Sequence, residues 1–159
     1  MKELSESEAL GKAAAYCSMS EHCIFEVQDK LQNWGQKDDA QERIIKRLID
    51  EKYIDEKRFC QSFINDKLKF NKWGRIKINQ GLKMKRIPTN IIRECLGIID
   101  ENVYLGTLRF LLDSRKKTIQ AANTYELNGK LIRFALGRGF EMEVIRASIN
   151  LPKEYENLD

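Results

Sequence analysis

At 159 residues, with 42% hydrophobic and 33% charged side chains and a net charge of +4, the chain is long enough for one globular domain or a row of small helical modules. No apolar run approaches the roughly 20 residues that a membrane-crossing helix needs, and the opening stretch MKELSESEALGKAAAYC lacks the apolar core of a signal peptide, so a cytoplasmic chain with no membrane partner is expected. Four cysteines at no CxxC spacing and a single histidine, His22, argue against a zinc site or a redox motif; Cys17, Cys23, Cys60 and Cys95 read as ordinary buried or half-buried thiols.

The apolar pattern is helical nearly throughout and predicts nine short helices. Leu10, Ala13, Ala14 and Cys17 mark the first. Ser20 is a candidate N-cap for the second, which runs through Ile24, Val27 and Leu31 to a stop at Gly35. Ile44, Ile45, Leu48 and Ile49 stripe the third, opened by Asp38, Asp39 and Glu42, acids that complement the helix macrodipole. Asp55 caps a fourth, with Phe59, Phe63, Ile64, Leu68 and Phe70 on one face. A fifth follows Gly74 with Ile78 and Leu82, and Pro88 opens a sixth with Ile91, Ile92, Cys95, Leu96 and Ile99. Val103, Tyr104, Leu108, Leu111 and Leu112 make the seventh. Leu127, Leu131 and Phe134 carry the eighth to Gly139, and Phe140, Val144, Ile145 and Ile149 the ninth. No stretch alternates with the period of a β-strand.

A repeat emerges when the second helices are set in register. DKLQNWGQ, QGLKMKRI and RFALGRGF align Leu31, Leu82 and Ala135, and with them Gly35, Arg86 and Gly139. A period of about 45 to 50 residues implies stacked units, each too small to bury its own apolar face. The boundaries expected are a tail over 1–8, repeats over 9–54, 55–100 and 101–151, and a tail over 152–159.

Charge is distributed unevenly. Residues 67–93, KLKFNKWGRIKINQGLKMKRIPTNIIR, hold nine Lys or Arg and no acid, so the remainder of the chain carries a net −5. A solvated basic face would account for such a run by itself. The interleaving of Phe70, Trp73, Ile76, Ile78, Leu82 and Met84 with the charges fits instead a segment that touches anions on both flanks. Lys69, Lys72, Arg75, Lys77, Lys83, Lys85 and Arg86 are the candidate binding residues, with Trp73 read as core rather than as a stacking platform. A second basic group comprises Arg109, Arg115, Lys116, Lys117, Lys130, Arg133 and Arg138, among which residues 109–139 place only Asp113 and Glu126. No glycine-rich phosphate loop, GxSxG elbow or supported Ser–His–Asp set occurs, so no catalytic residue, cofactor or metal is predicted.

Residues 53–78, YIDEKRFCQSFINDKLKFNKWGRIKI, resemble the central signature of the RecX regulatory proteins: Tyr53 and Ile54, the acidic turn Asp55–Glu56, Arg58–Phe59 at a helix start, then a basic stretch leading to Gly74–Arg75. The likeness extends over about residues 9–150. It departs from the family at Arg86, where a glycine is usual, and at Gln36, where an apolar residue usually follows the glycine. The resemblance implies an all-α fold of three tandem three-helix repeats in an elongated, curved array. It also implies a monomeric, non-enzymatic protein that binds the RecA recombinase filament on single-stranded DNA, itself touching the DNA weakly and without sequence preference, and inhibits its ATPase, strand-exchange and coprotease activities. Two other readings of the residues remain open: a sequence-specific helix-turn-helix repressor, and a helical-repeat scaffold for an acidic protein.

Overall fold

The computed structural model describes residues 4–149; the expected C-terminal tail, 152–159, lies outside them. Among the described residues nine α-helices follow one another: α1 (Glu6–Met19), α2 (Ile24–Asn33), α3 (Asp38–Asp50), α4 (Glu56–Asp66), α5 (Arg75–Met84), α6 (Thr89–Gly97), α7 (Glu101–Lys116), α8 (Thr124–Gly137) and α9 (Met142–Ile149), with a π-helical segment, Lys67–Asn71, continuing α4. No strand occurs among the described residues.

Local chemistry sets the helix starts. Ser5 caps α1 in a reciprocal box with Glu8: its Oγ accepts the Glu8 N–H while the Glu8 carboxylate accepts the Ser5 N–H, both at 3.1 Å. Asp55 accepts the Arg58 N–H at the head of α4 as expected, and Asp100 and Asn123 accept from Val103 and Glu126 at the heads of α7 and α8. Ser20 does not cap α2. It ends α1, and Cys23 holds the cap position, its N–H donating to Glu26 at 3.3 Å.

The three aligned turns share one conformation. Gly35, Arg86 and Gly139 all have positive φ, 82°, 58° and 93°. Each donates its N–H three residues back, to Gln32, Lys83 and Leu136, and the next residue donates five back: Gln36 to Leu31, Ile87 to Leu82, Phe140 to Ala135. This is a Schellman closure repeated three times, which satisfies carbonyls that a helix end leaves orphaned. The position after it is always buried, by Ile87, by Phe140 and, against expectation for a polar residue, by Gln36.

The chain gathers into two compact units, Met1–Phe63 with Leu82–Arg93, and Ile64–Gly81 with Glu94–Asp159. In the first, Ala9, Ala13, Cys17, Val27, Leu31, Ile44, Ile45, Leu48 and Ile54 form the core. In the second, α7, α8 and α9 pack together, with the buried rings of Tyr104 and Phe140 5.2 Å apart.

Each unit holds one junction in which the start of a second helix meets the turn of another repeat. In the second unit the Gly74 N–H donates to the Arg138 carbonyl at 2.8 Å and Ile76 donates to Gly139 at 3.0 Å. A Cβ on Gly74 would stand 2.5 Å from the Phe140 nitrogen, so only glycine fits. In the first unit the equivalent of Gly74 is Cys23, whose thiol lies 3.9 Å from the Lys85 carbonyl, and Lys85 is the equivalent of Arg138. The first repeat's own turn is met by Leu4, whose N–H makes a long contact of 3.5 Å to the Trp34 carbonyl. The Gln36 side chain donates to the Leu4 carbonyl at 2.7 Å. That bond explains the polar residue at this position.

Phe70 departs from its expected place in the buried face of α4. It is 71% exposed, because the wider π turn over Lys67–Asn71 breaks the 100° phase that sequence counting assumes. Val103 is likewise exposed, and α6 stops at Gly97, before Ile99.

Candidate partner-binding surface

The seven candidate cations divide between the units: Lys69, Lys72, Arg75 and Lys77 in the second, Lys83, Lys85 and Arg86 in the first. They divide again by what they touch.

Arg75 and Lys85 are engaged internally. Arg75 donates to Glu141 at 2.9 Å and to Glu101, its guanidinium lies 3.8 Å from the centre of the Tyr104 ring, and its backbone N–H donates to the Tyr104 hydroxyl at 2.8 Å. The Tyr104 hydroxyl in turn donates to Glu141. Burial raises the Tyr104 phenol above its ordinary range, and the bond to Glu141 adds to the rise. For Arg75 burial works against the charge, but the hydrogen bonds it donates to Glu141 and Glu101 outweigh it and strengthen the guanidinium's hold on its proton. Lys85 pairs with Glu26 at 3.0 Å. Burial alone would raise the Glu26 carboxyl; hydrogen bonds from His22 and Lys85 overcome this and hold it below the usual carboxylate range. The same burial lifts the Cys23 thiol to about 11, which keeps it a protonated, unreactive packing group.

The other five have no carboxylate partner among the described residues. Lys83 is exposed. Arg86 is exposed and lies 4.9 Å from the Phe25 ring centre, beside a shallow cavity also lined by Gln28, Asp29 and Gln32. Lys72 adopts a left-handed backbone, φ 55°, that ends the π segment and turns the chain into α5. Lys69 sits over Phe70 and Lys72 over Phe110. Trp73 is half-buried and its ring carries two ammonium groups, Lys67 and Lys77, each 4.8 Å from the centroid. Its face is therefore taken by the protein's own cations.

The second basic group belongs to the second unit. Lys130 pairs with Glu126, while Arg115 and Arg138 flank the Phe134 ring, and Arg138 also donates to the Asn71 carbonyl at 2.7 Å. Arg109, Lys116, Lys117 and Arg133 are exposed.

Sequence reasoning missed two things. It could not find the exposed pair Phe70 and Phe110, because both were assigned by phase or left unassigned. Nor could it see that the signature residues mostly build the fold. Arg58 ties Glu21 to the carbonyls of Lys52 and Tyr53, Phe59 is buried, and Gly74 and Arg75 make the second unit's junction. Among the described residues no group of three metal-binding side chains gathers, and no helix is long and apolar enough to cross a membrane.

Comparison with known proteins places this arrangement. The family model for RecX, second three-helix domain, matches residues 55–96, and that for RecX, third three-helix domain, matches residues 102–149. The regulatory protein RecX of Prosthecochloris aestuarii is 25% identical over 94% of this chain and 97% of its own length. That of Clostridium tetani is 30% identical over 88% of this chain and 65% of its own. Against the RecX of Lactobacillus johnsonii, 27% identical, the chain spans 53% of the relative's length, about half. The crystal structure of RecX from Lactobacillus salivarius superposes with a TM-score of 0.84 at 23% identity, covering 91% of this chain and 94% of that one, a likeness of fold.

Proposed function

The chain belongs to the RecX family of regulatory proteins, and on that premise we propose that it acts as a cytoplasmic, monomeric, non-enzymatic regulator. It binds a RecA recombinase filament on single-stranded DNA and restrains the filament's ATPase, strand-exchange and coprotease activities. Repeats over 9–54, 55–100 and 101–151 would supply the contacts, the middle one foremost.

One observation carries the reading beyond the family name. Within an acid-free segment, Lys69, Lys72, Lys77, Lys83 and Arg86 find no carboxylate among the described residues. Within each unit the unneutralised like charges repel one another, which opposes folding and is relieved by an anionic partner. Arg75 and Lys85, by contrast, are positioning residues, each locking the junction of its own unit. Five phosphate contacts on a single strand would give a slope of log affinity against log salt of about −3.5. Acidic side chains in a filament groove would add pairs whose strength also falls with salt.

The test is inhibition of the ATPase of a recombinase filament on single-stranded DNA, with the full chain added at increasing salt. Reversal of charge at Lys69, Lys72, Lys83 and Arg86 together is expected to abolish inhibition while leaving thermal unfolding near that of the unaltered chain. Inhibition that persists in this variant, or that ignores ionic strength, removes the surface from consideration. Tight binding to one duplex sequence without recombinase would instead identify a repressor, and capture of an acidic protein that survives nuclease and needs no DNA would identify a scaffold.

A further inference from the structure

Two phenyl rings stand out in the second unit. Phe70, on the π-helical segment, is 71% exposed, and Phe110, on α7, is 60% exposed. The two segments pack against each other. Each ring carries its own ammonium group: Lys69 Nζ lies 5.3 Å from the Phe70 centroid and Lys72 Nζ 5.4 Å from that of Phe110. The Lys72 ammonium also donates to the Lys69 carbonyl, which ties the two ring–cation pairs together.

The surroundings leave Phe110 open. A helical side chain leans back over the turn before it, and the residue one turn before Phe110 is Gly106. Nothing lies within 4 Å of where a Gly106 Cβ would stand. A glycine inside a helix costs about 1 kcal/mol against alanine, so here it leaves bare ground beneath an exposed ring. The π turn does the same for Phe70, carrying it out of the buried face. Arg109, next to Phe110, is exposed and pairs with no acid among the described residues.

We propose that Phe70 and Phe110 form a base-stacking platform for single-stranded DNA, with Lys69 and Lys72 receiving the flanking phosphates. This deepens the functional reading above and rests on it for the identity of the strand. A nucleotide presents one flat ring and one anion, and this surface presents two ring–ammonium pairs of matching chemistry. Magnitudes decide whether a base can displace the lysines from the rings. An exposed cation–π contact is worth about 0.5–1 kcal/mol, and a base stacked on an aromatic ring about 1–3 kcal/mol. The base takes the ring, and each lysine swings to the phosphate. Trp73 is not part of the platform: its ring is half-buried and holds two ammonium groups, Lys67 and Lys77, both of which a base would have to displace.

The experiment uses the full chain without recombinase, a labelled oligodeoxythymidylate, and an abasic strand of the same length and charge. The unaltered chain is expected to bind the base-bearing strand about tenfold more tightly than the abasic one. Phe70→Ala with Phe110→Ala should bind both strands equally, with the salt slope unchanged because the phosphate contacts remain. Gly106→Gln should lose the same preference by covering the Phe110 face while unfolding at no lower a temperature, which separates stacking from damage to the fold. Equal binding of the two strands by the unaltered chain, or a preference retained in the double Phe variant, overturns the platform. So does a double variant that keeps its preference for bases but no longer inhibits the filament, since the rings would then be a protein contact. Base preference in a chain that does not inhibit the recombinase supports the platform and overturns the functional reading instead.

Discussion

The two junctions occupy the same place in the repeat and are built from different chemistry. At Gly74 backbone meets backbone: two N–H groups bond the Arg138 and Gly139 carbonyls, and the approach is too close for any side chain. Arg75 then locks the contact with Glu101, Glu141 and Tyr104. At Cys23 a thiol stands off from the Lys85 carbonyl, and the lock is the ion pair of Glu26 with Lys85. Register is thus specified by the helix and turn, while the filling is free to vary. The tight junction is brittle to substitution at Gly74, where backbone meets backbone; the looser one leans on an ion pair whose carboxylate, Glu26, is held below its usual range.

Substitutions can break or sharpen this contrast. Gly74→Ala should have the largest effect, a loss of about 3 kcal/mol or more, because the new methyl meets backbone that cannot swing aside; urea unfolding measures it, and a loss under about 1 kcal/mol would mean that the junction yields. Arg75→Ala comes next, at about 2 kcal/mol, the worth of charged hydrogen bonds lost while Glu141 and Tyr104 are left partly buried.

The Cys23 junction is tested through Glu26→Gln, expected to cost about 1.5 kcal/mol at neutral pH. The folded Glu26 carboxyl lies below its ordinary value of 4.5. Its contribution is therefore complete above about pH 4.5 and is lost as pH falls through the lower folded value. Melting curves of variant and unaltered chain should converge in acid; a gap constant with pH would show that the ion pair contributes nothing. Arg86→Gly has the smallest expected effect. Relief of left-handed backbone strain, about 1–2 kcal/mol, outweighs the lost contact with Phe25, about 0.5–1 kcal/mol, for a net gain near 0.5 kcal/mol. If the same variant weakens filament inhibition, Arg86 serves its partner at a cost to its own fold.

Much of the fold was legible in the sequence because it rests on short-range rules. The alignment of Leu31, Leu82 and Ala135 located three turns with the same hydrogen bonds, and even the odd Arg86 proved to hold the glycine-like conformation. The binding surface was less legible, for two physical reasons. Ion pairing is long-range: Glu101 and Glu141 lie 26 and 66 residues from Arg75, and no local pattern announces them. The π segment resets the helical phase within five residues, so Phe70 counted as core while facing solvent.

The contact of Leu4 with the first turn reaches beyond local stability. In the other two turns the carbonyl at this position receives a neighbouring repeat, and here the stretch just ahead of α1 sits in that seat. Head-to-tail concatenation of copies through this site would first have to evict Leu4 and strand the Gln36 amide. A seat that a neighbouring repeat fills elsewhere is filled here by a short lead-in, so trimming the chain to the start of α1 would open the first turn and cost its buried amide an acceptor.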